Sequence, residues 1–182
     1  MPNWAMGTVE VTGKEDGVIS FIERFQDWQD HEVPGKKYFA RSVIDEDRSD
    51  FIKHIRFENH GKPKDTEIKT VFAASFAWSA YFCLISGYPQ TFPDNCISLV
   101  QACRGDRVSV QIFTEEPGLY LEEDLHCDSD GNISYSSDEL TRVQCRHCGA
   151  TQGISSHADL AEVECYECGK TGFDYVRKQE EA

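Results

Sequence analysis

Between Arg107 and Arg142 the chain contains no lysine and no arginine, while Glu115, Glu116, Glu122, Glu123, Asp124, Asp128, Asp130, Asp138 and Glu139 all fall inside that gap. A stretch of one sign this long repels a phosphate backbone, which removes the middle of the chain from any nucleic-acid footprint. Long apolar runs are also lacking, and none approaches the ~18 residues of a membrane-spanning helix. The opening Met1-Pro2-Asn3-Trp4 has no basic region and no apolar run after it. It does not read as a signal peptide, so a secreted disulfide framework is not expected and the expected location is cytoplasmic. Neither a glycine-rich phosphate loop nor an evident nucleophile–base–acid constellation can be found. The expectation that follows is a protein that is not an enzyme.

The 182 residues are 40% hydrophobic and 12% aromatic, enough for one packed domain of ordinary size with a small one appended. Formal net charge is −14. It is unevenly spread. Residues 1–139 hold 13 Lys and Arg against 25 Asp and Glu, and residues 140–182 hold 5 against 7. The acidity therefore belongs to the first domain. Arg48 to Lys69 is the most basic stretch, and Asp50, Glu58, Asp65 and Glu67 offset it.

The strongest chemical signal is Cys145-Arg-His-Cys148-Gly followed by Cys165-Tyr-Glu-Cys168-Gly. Two Cys-x-x-Cys pairs at this separation match the spacing at which four thiolates close around one tetrahedral zinc. Gly149 and Gly169 allow the positive φ that such tight turns require. Two disulfides would suit a secreted chain, and a redox dithiol occurs once, at the start of a helix, so a duplicated pair fits neither. His147 and His157 lie close in sequence but are bystanders when four thiolates are available. A site closed by four cysteines has no open position for substrate, so the zinc expected at Cys145, Cys148, Cys165 and Cys168 is structural. Val143, Val163, Phe173, Tyr175 and Val176 are expected to form short strands over the metal, giving a zinc ribbon with Tyr166 exposed at its tip.

Ahead of the ribbon, apolar periodicity predicts a strand over Trp4–Thr12, ended by Gly13, and a helix carrying Val18, Ile22, Phe25 and Trp28. A second strand is expected over Lys37–Ile44 and a short helix over Ser49–Phe57. Another strand is expected over Thr66–Phe76. A helix capped by Asp94 follows, running from Asn95 to Cys103 with Cys96 and Cys103 on one face. Arg107–Thr114 and Leu119–His126 read as strands. Asp128-Ser-Asp-Gly131 then turns the chain into a hairpin with Ile133 and Tyr135, and Ser134–Asp138 reads as a linker. The fold class expected is α+β: a ferredoxin-like split βαβ sandwich with an added β-hairpin over residues 1–136, and a zinc ribbon with a charged tail over residues 137–182.

Three short motifs then carry a resemblance: the opening Met1-Pro-Asn-Trp-Ala-Met-Gly-Thr-Val-Glu-Val-Thr-Gly13, the step Ala77-Trp78-Ser79, and Phe113-Thr-Glu-Glu-Pro-Gly118. Over residues 1–135 the chain resembles the YubB-type ferredoxin-like family of phage and plasmid proteins. Members of that family often have a cysteine after the opening tryptophan and Asn-Trp-Gly-Thr-Lys before the third strand. Here Ala5 and Ile68-Lys-Thr-Val71 stand instead. The resemblance implies a mobile-element origin, and hence a host-cell cytoplasmic location if the chain is phage-encoded. It brings no catalytic residues with it.

Other clusters have plainer explanations. Cys96 and Cys103 suit a buried row in a core, where free thiols usually lie. His126-Cys127 beside Asp128 and Asp130 suggests a second metal site or a nucleophile, but no oriented base can be shown and hairpin residues are the plainer reading. Asp128-Ser-Asp-Gly-Asn has the oxygen pattern of a calcium loop except that Gly131 holds the fourth position, and Ile133 holds the sixth, where glycine is required. Trp78, Tyr81, Phe82, Tyr88 and Phe92 form either a stacking platform or core, and no basic residues interleave them.

The functional expectation is a phage or mobile-element binding module that engages a host or phage macromolecule. Its partner face would be Glu115, Glu116, Glu122, Glu123 and Asp124, docking on a basic protein surface, in one form as an inhibitor of a nucleic-acid-binding defence protein. One alternative is nucleic-acid binding by the ribbon through Arg142, Arg146, Lys170, Arg177 and Lys178. Another is a metal-dependent hydrolase or nuclease using Glu115, Glu116, Glu122 and Asp124.

Overall fold

The structure, a computed structural model, describes residues 3–27, 35–86, 94–116, 120–155 and 158–176. It is a mixed α+β arrangement dominated by two antiparallel sheets. The larger sheet has six strands in the order β2-β3-β1-β4-β5-β6. These are β1 (Trp4–Lys14), β2 (Ser42–Ile44), β3 (Glu67–Ala77), β4 (Val108–Glu116), β5 (Leu121–Cys127) and β6 (Ile133–Glu139). Every neighbouring pair is antiparallel. Helix α1 (Glu15–Ile22) follows β1 in the chain, α2 (Arg48–Glu58) lies between β2 and β3, and α3 (Leu99–Asp106) lies between β3 and β4.

The period of two in β1 decides which face the helices cover. Ala5, Val9 and Val11 are buried on one side, in register with Phe72 of β3 and with Val110 and Ile112 of β4. Val18, Phe21 and Ile22 of α1 and Leu99, Ala102 and Cys103 of α3 pack into the same core. Five phenylalanines, Phe21, Phe25, Phe39, Phe72 and Phe76, meet there with ring centroids 5.0 to 6.1 Å apart, most of them edge to face. The opposite face of the sheet carries no helix among the described residues. It exposes Met6, Val71 and Phe113 at 52%, 49% and 37%.

Several element boundaries differ from those the sequence predicts. Gly13 does not stop β1. The strand continues to Lys14, and a side chain at position 13 would meet Val108 of β4 at 2.9 Å, so the glycine serves close strand packing. The second strand shrinks to Ser42–Ile44 because Arg41 has φ 51°, which breaks the extended run after Phe39. Asp94 does not cap α3. Asn95 and Ile97 instead exchange backbone hydrogen bonds with Tyr38 (3.0 and 2.9 Å), and the helix starts after Ser98, which forms a capping box with Gln101. Cys96 therefore lies outside α3, half-buried, while Cys103 is in the core. Ser134–Asp138 is not a linker but the middle of β6. Trp28, Tyr88 and Phe92 lie outside the described residues.

The smaller sheet has the order β8-β7-β9, with β7 (Thr141–Cys145), β8 (Thr151–Ile154) and β9 (Phe173–Tyr175). It joins the larger one directly, since Leu140 follows β6 and donates its N–H to the Tyr120 carbonyl at 2.7 Å. Among the described residues its buried core is Val143, Cys145, Ile154, Cys165 and Phe173, with Ala150, Ala158, Leu160, Val163 and Cys168 packed half-buried against it. Tyr175 and Val176 are exposed rather than packed. No helix among the described residues is long and apolar enough to cross a membrane.

Candidate metal centre and acidic sheet face

The two Cys-x-x-Cys segments fold as matching knuckles. In the first, the N–H of Gly149 donates to the Cys145 carbonyl (3.0 Å) and the N–H of Cys145 to Ala150 (2.8 Å). In the second, Gly169 donates to Cys165 (2.8 Å) and Cys165 to Lys170 (3.0 Å). Gly149 and Gly169 have φ 76° and 67°, the left-handed conformation that both turns need. All four sulfurs lie within 4.8 Å of one another, with Cys145–Cys168 at 3.7 Å and Cys148–Cys165 at 3.6 Å. Sulfurs at about 2.3 Å from a tetrahedral zinc would be about 3.8 Å apart, so the set has the right dimensions to hold a metal ion such as zinc. The amide of Cys148, helped by that of His147, holds the Cys145 thiol down at about 6. Against the Ala150 amide, burial and the neighbouring sulfurs push Cys148 up to about 12, so without a metal the crowded thiols cannot all be thiolates. His147 is turned away, its Nε2 3.1 Å from the Thr171 carbonyl. His157 lies outside the described residues.

Two of the ribbon's basic residues already have partners among the described residues. Arg146 is paired with Asp174 at 2.6 Å, and the Arg142 guanidinium lies over the Tyr120 ring at 4.3 Å. Lys170 is exposed on the second knuckle, and Arg177 and Lys178 lie outside the described residues. An open groove of about 550 Å³ beside the knuckles is lined by residues including Thr151, Gln152, Tyr166 and Glu167, with no cation among them. Tyr166 is 65% exposed there.

The five carboxylates expected on one partner face are divided between two. Alternation puts Glu115, Glu122 and Asp124 on the open face of the sheet, whereas Glu116 and Glu123 point to the helix-covered side and are 3% and 1% exposed. The register aligns Glu115 opposite Glu122 and Glu122 opposite Asp138, a row of three like charges across β4, β5 and β6. Such cross-strand pairs are destabilising. Desolvation, and then the Glu122 charge, raises the Glu115 carboxyl above the ordinary glutamate range. Because the ionised form is the disfavoured one in the folded protein, stability falls as pH rises through the window between the ordinary and the raised value. Glu115→Gln is therefore expected to raise the urea midpoint at pH 7 and to leave it unchanged at pH ~3. An equal gain at both pH values would show that charge is not the cause.

Glu123 is a site that sequence reasoning misassigned. Its Oε1 accepts from Ser79 Oγ (2.7 Å) and the Tyr135 hydroxyl (3.0 Å), and its Oε2 accepts from the Ala80 N–H (2.8 Å) and Thr114 Oγ1 (3.1 Å). The carboxylate caps the turn that begins after Trp78, itself held at φ 69° by an N–H bond to the Asn3 carbonyl at 2.7 Å. Asn3-Trp4, Ala77-Trp78-Ser79 and Thr114 thus converge at one end of the sheet. Short motifs far apart in the chain were the available signal.

Period two also settles His126 and Cys127. His126 is on the open face beside Ser109 (3.2 Å), and Cys127 is buried on the other face with its Sγ 3.6 Å from the Asp128 carbonyl, so the two cannot act on one ligand. Asp128 Oδ1 accepts from the amides of Asp130 and Asn132 at 2.9 and 2.8 Å, which is a turn using its own carboxylate. Among the described residues, the four cysteines are the one group of three or more Cys, His, Asp or Glu side chains close enough to share a metal. Compared with known protein families, curated proteins and solved structures, the chain matches none.

Proposed function

We propose that the protein is a non-enzymatic binding module of the phage or mobile-element type, which docks through its acidic sheet face on a basic surface of another protein. The observation that carries this reading is the row Glu115, Glu122 and Asp138, aligned across three strands beside exposed Phe113 in a part of the sequence without lysine or arginine. Like charges held opposite one another are a local penalty that a cationic partner would relieve. The order β2-β3-β1-β4, with α1 and α3 as crossovers, supports a ferredoxin-like first domain, consistent with the YubB-type resemblance. The four cysteines support a structural zinc in the ribbon, closed to substrate.

The test is affinity purification of the zinc-loaded protein from host lysate, with and without nuclease. A basic protein that stays bound after nuclease and is released by salt is the expected result. Loss of every partner on nuclease treatment would transfer the function to nucleic-acid binding by the ribbon. Salt-insensitive capture of only neutral or acidic proteins would overturn the acidic-face reading.

A further inference from the structure

We infer that β6 is the docking edge, and that the partner contributes an extended segment that adds to the sheet as a further strand, basic on one face and apolar on the other. This rests on the reading above, that the partner is a protein with a basic surface. β6 ends the sheet on the side away from β2, runs for 7 residues in unbroken one-to-one register with β5, and is exposed along its whole length. Edges of this length are ordinarily guarded by charged side chains, lysine above all, by proline, a bulge or a covering element, and here the charges are confined to Asp138 and Glu139 at one end. Ile133-Ser-Tyr-Ser-Ser-Asp-Glu139 has no lysine or proline, and its register has no bulge.

Two hydrogen bonds fix which peptide groups point outward. At the hairpin end the Asp128 N–H donates to the Asn132 carbonyl (3.1 Å), and at the other end the Leu140 N–H donates to Tyr120 (2.7 Å). Hydrogen-bonded pairs alternate along an antiparallel ladder. Ser134, Ser136 and Asp138 therefore turn their peptide groups to β5, and Ile133, Tyr135 and Ser137 turn theirs away from the sheet. Among the described residues no other backbone group meets those three.

The side chains specify the occupant. Ile133 and Tyr135, each 39% exposed, lie on the helix-covered side of the sheet. On the open side stand Ser134, Ser136 and Asp138, with Asp124 directly behind Ser136 and Glu122 behind Asp138. An added strand would set alternate residues beside Ile133 and Tyr135, where apolar side chains fit, and the intervening ones before the carboxylates, where lysine or arginine fits. A second copy of this chain suits the edge poorly, because β6 has no cation to bring to the row.

The probe is a fluorescein-labelled heptapeptide of alternating lysine and valine, titrated against the zinc-loaded full chain by fluorescence anisotropy. Two control peptides carry N-methyl groups, one on the valines and one on the lysines. They keep charge and pattern, but only one of them keeps the N–H groups that face β6. One control is expected to bind like the parent and the other about tenfold more weakly. Equal affinity of the two controls, retained or lost, overturns strand addition. Ser137→Pro removes an outward N–H without touching the ladder to β5, and is expected to weaken the parent peptide by about tenfold with the circular dichroism unchanged. If that variant fails to fold, the methylated pair decides. A wild-type dimer that Ser137→Pro dissociates would assign the edge to self-association and overturn the proposal. A lysate protein still held by Ser137→Pro would remove the edge but keep the proposed function, whereas loss of all partners to nuclease removes the proposed function itself.

Discussion

Withdrawal of a metal held by the four cysteines, with a strong chelator, or Cys145→Ser, is expected to unfold the sheet of β7, β8 and β9 with its two knuckles while the six-stranded sheet stays folded. The smaller sheet has three short strands, and among the described residues its fully buried core is five residues, two of them cysteines of the metal set, with only small or half-buried side chains such as Ala150, Leu160 and Val163 packed against it. That core cannot offset the chain entropy of the segment, at roughly 1 to 2 kcal/mol per residue. A structural zinc would supply on the order of 10 kcal/mol, so its loss removes most of what orders the ribbon. The larger sheet has its own core around Val9, Phe72 and Ile112 and needs nothing from the metal. Amide spectra read both parts together: the signals of Val143, Ile154 and Phe173 should collapse to unfolded positions while those of Val9 and Ile112 stay dispersed. A ribbon that remained dispersed after complete chelation would end the structural role proposed for the metal.

The second large effect is expected from Glu123→Ala. Truncation leaves the Ser79 hydroxyl, the Ala80 N–H and Thr114 Oγ1 without their acceptor in a site from which water is excluded. Hydrogen bonds to a charged group contribute about 1.5 to 3 kcal/mol each, and an unsatisfied buried donor is costly. A loss of about 3 to 5 kcal/mol is expected, a large share of the stability of a domain this size. Glu123→Gln keeps one acceptor oxygen and should lose less. Urea denaturation followed by tryptophan fluorescence measures both, since Trp4 and Trp78 lie at the same end of the sheet. A change under about 1 kcal/mol for Glu123→Ala would show that the carboxylate is dispensable.

What the sequence made legible follows from how local each signal is. The cysteine set could be read because its geometry is carried by two short segments, each with its own glycine. β1 and β4 could be read from alternation, β3 from its apolar and β-branched run, and the hairpin turn from Asp128 and Gly131. The boundaries that shifted depend on distant partners: Tyr38 holds Asn95 and Ile97 extended and so delays α3 to Ser98. The carboxylates show the same limit. Glu115, Glu116, Glu122 and Glu123 are near neighbours in sequence, yet alternation sends two to solvent and two into the protein. Only the packing of Ser79, Thr114 and Tyr135 around Glu123 distinguishes a buried cap from a charged surface.

The strand order also dictates a timetable for synthesis. β1 is made before both of its neighbours, β3 and β4, and has no strand partner until residues 67–77 and then 108–116 have been added. Both edges of the central strand stay open until β3 is made, and the β4 edge stays open for most of the domain's translation, a period in which Ala5, Val9 and Val11 are accessible to chaperones or to other nascent chains. The cysteine knuckles come after the whole sheet, so a metal captured there would meet a chain whose larger sheet can already be closed. Translation with zinc withheld should then release a protein with an intact sheet that still accepts the metal afterwards.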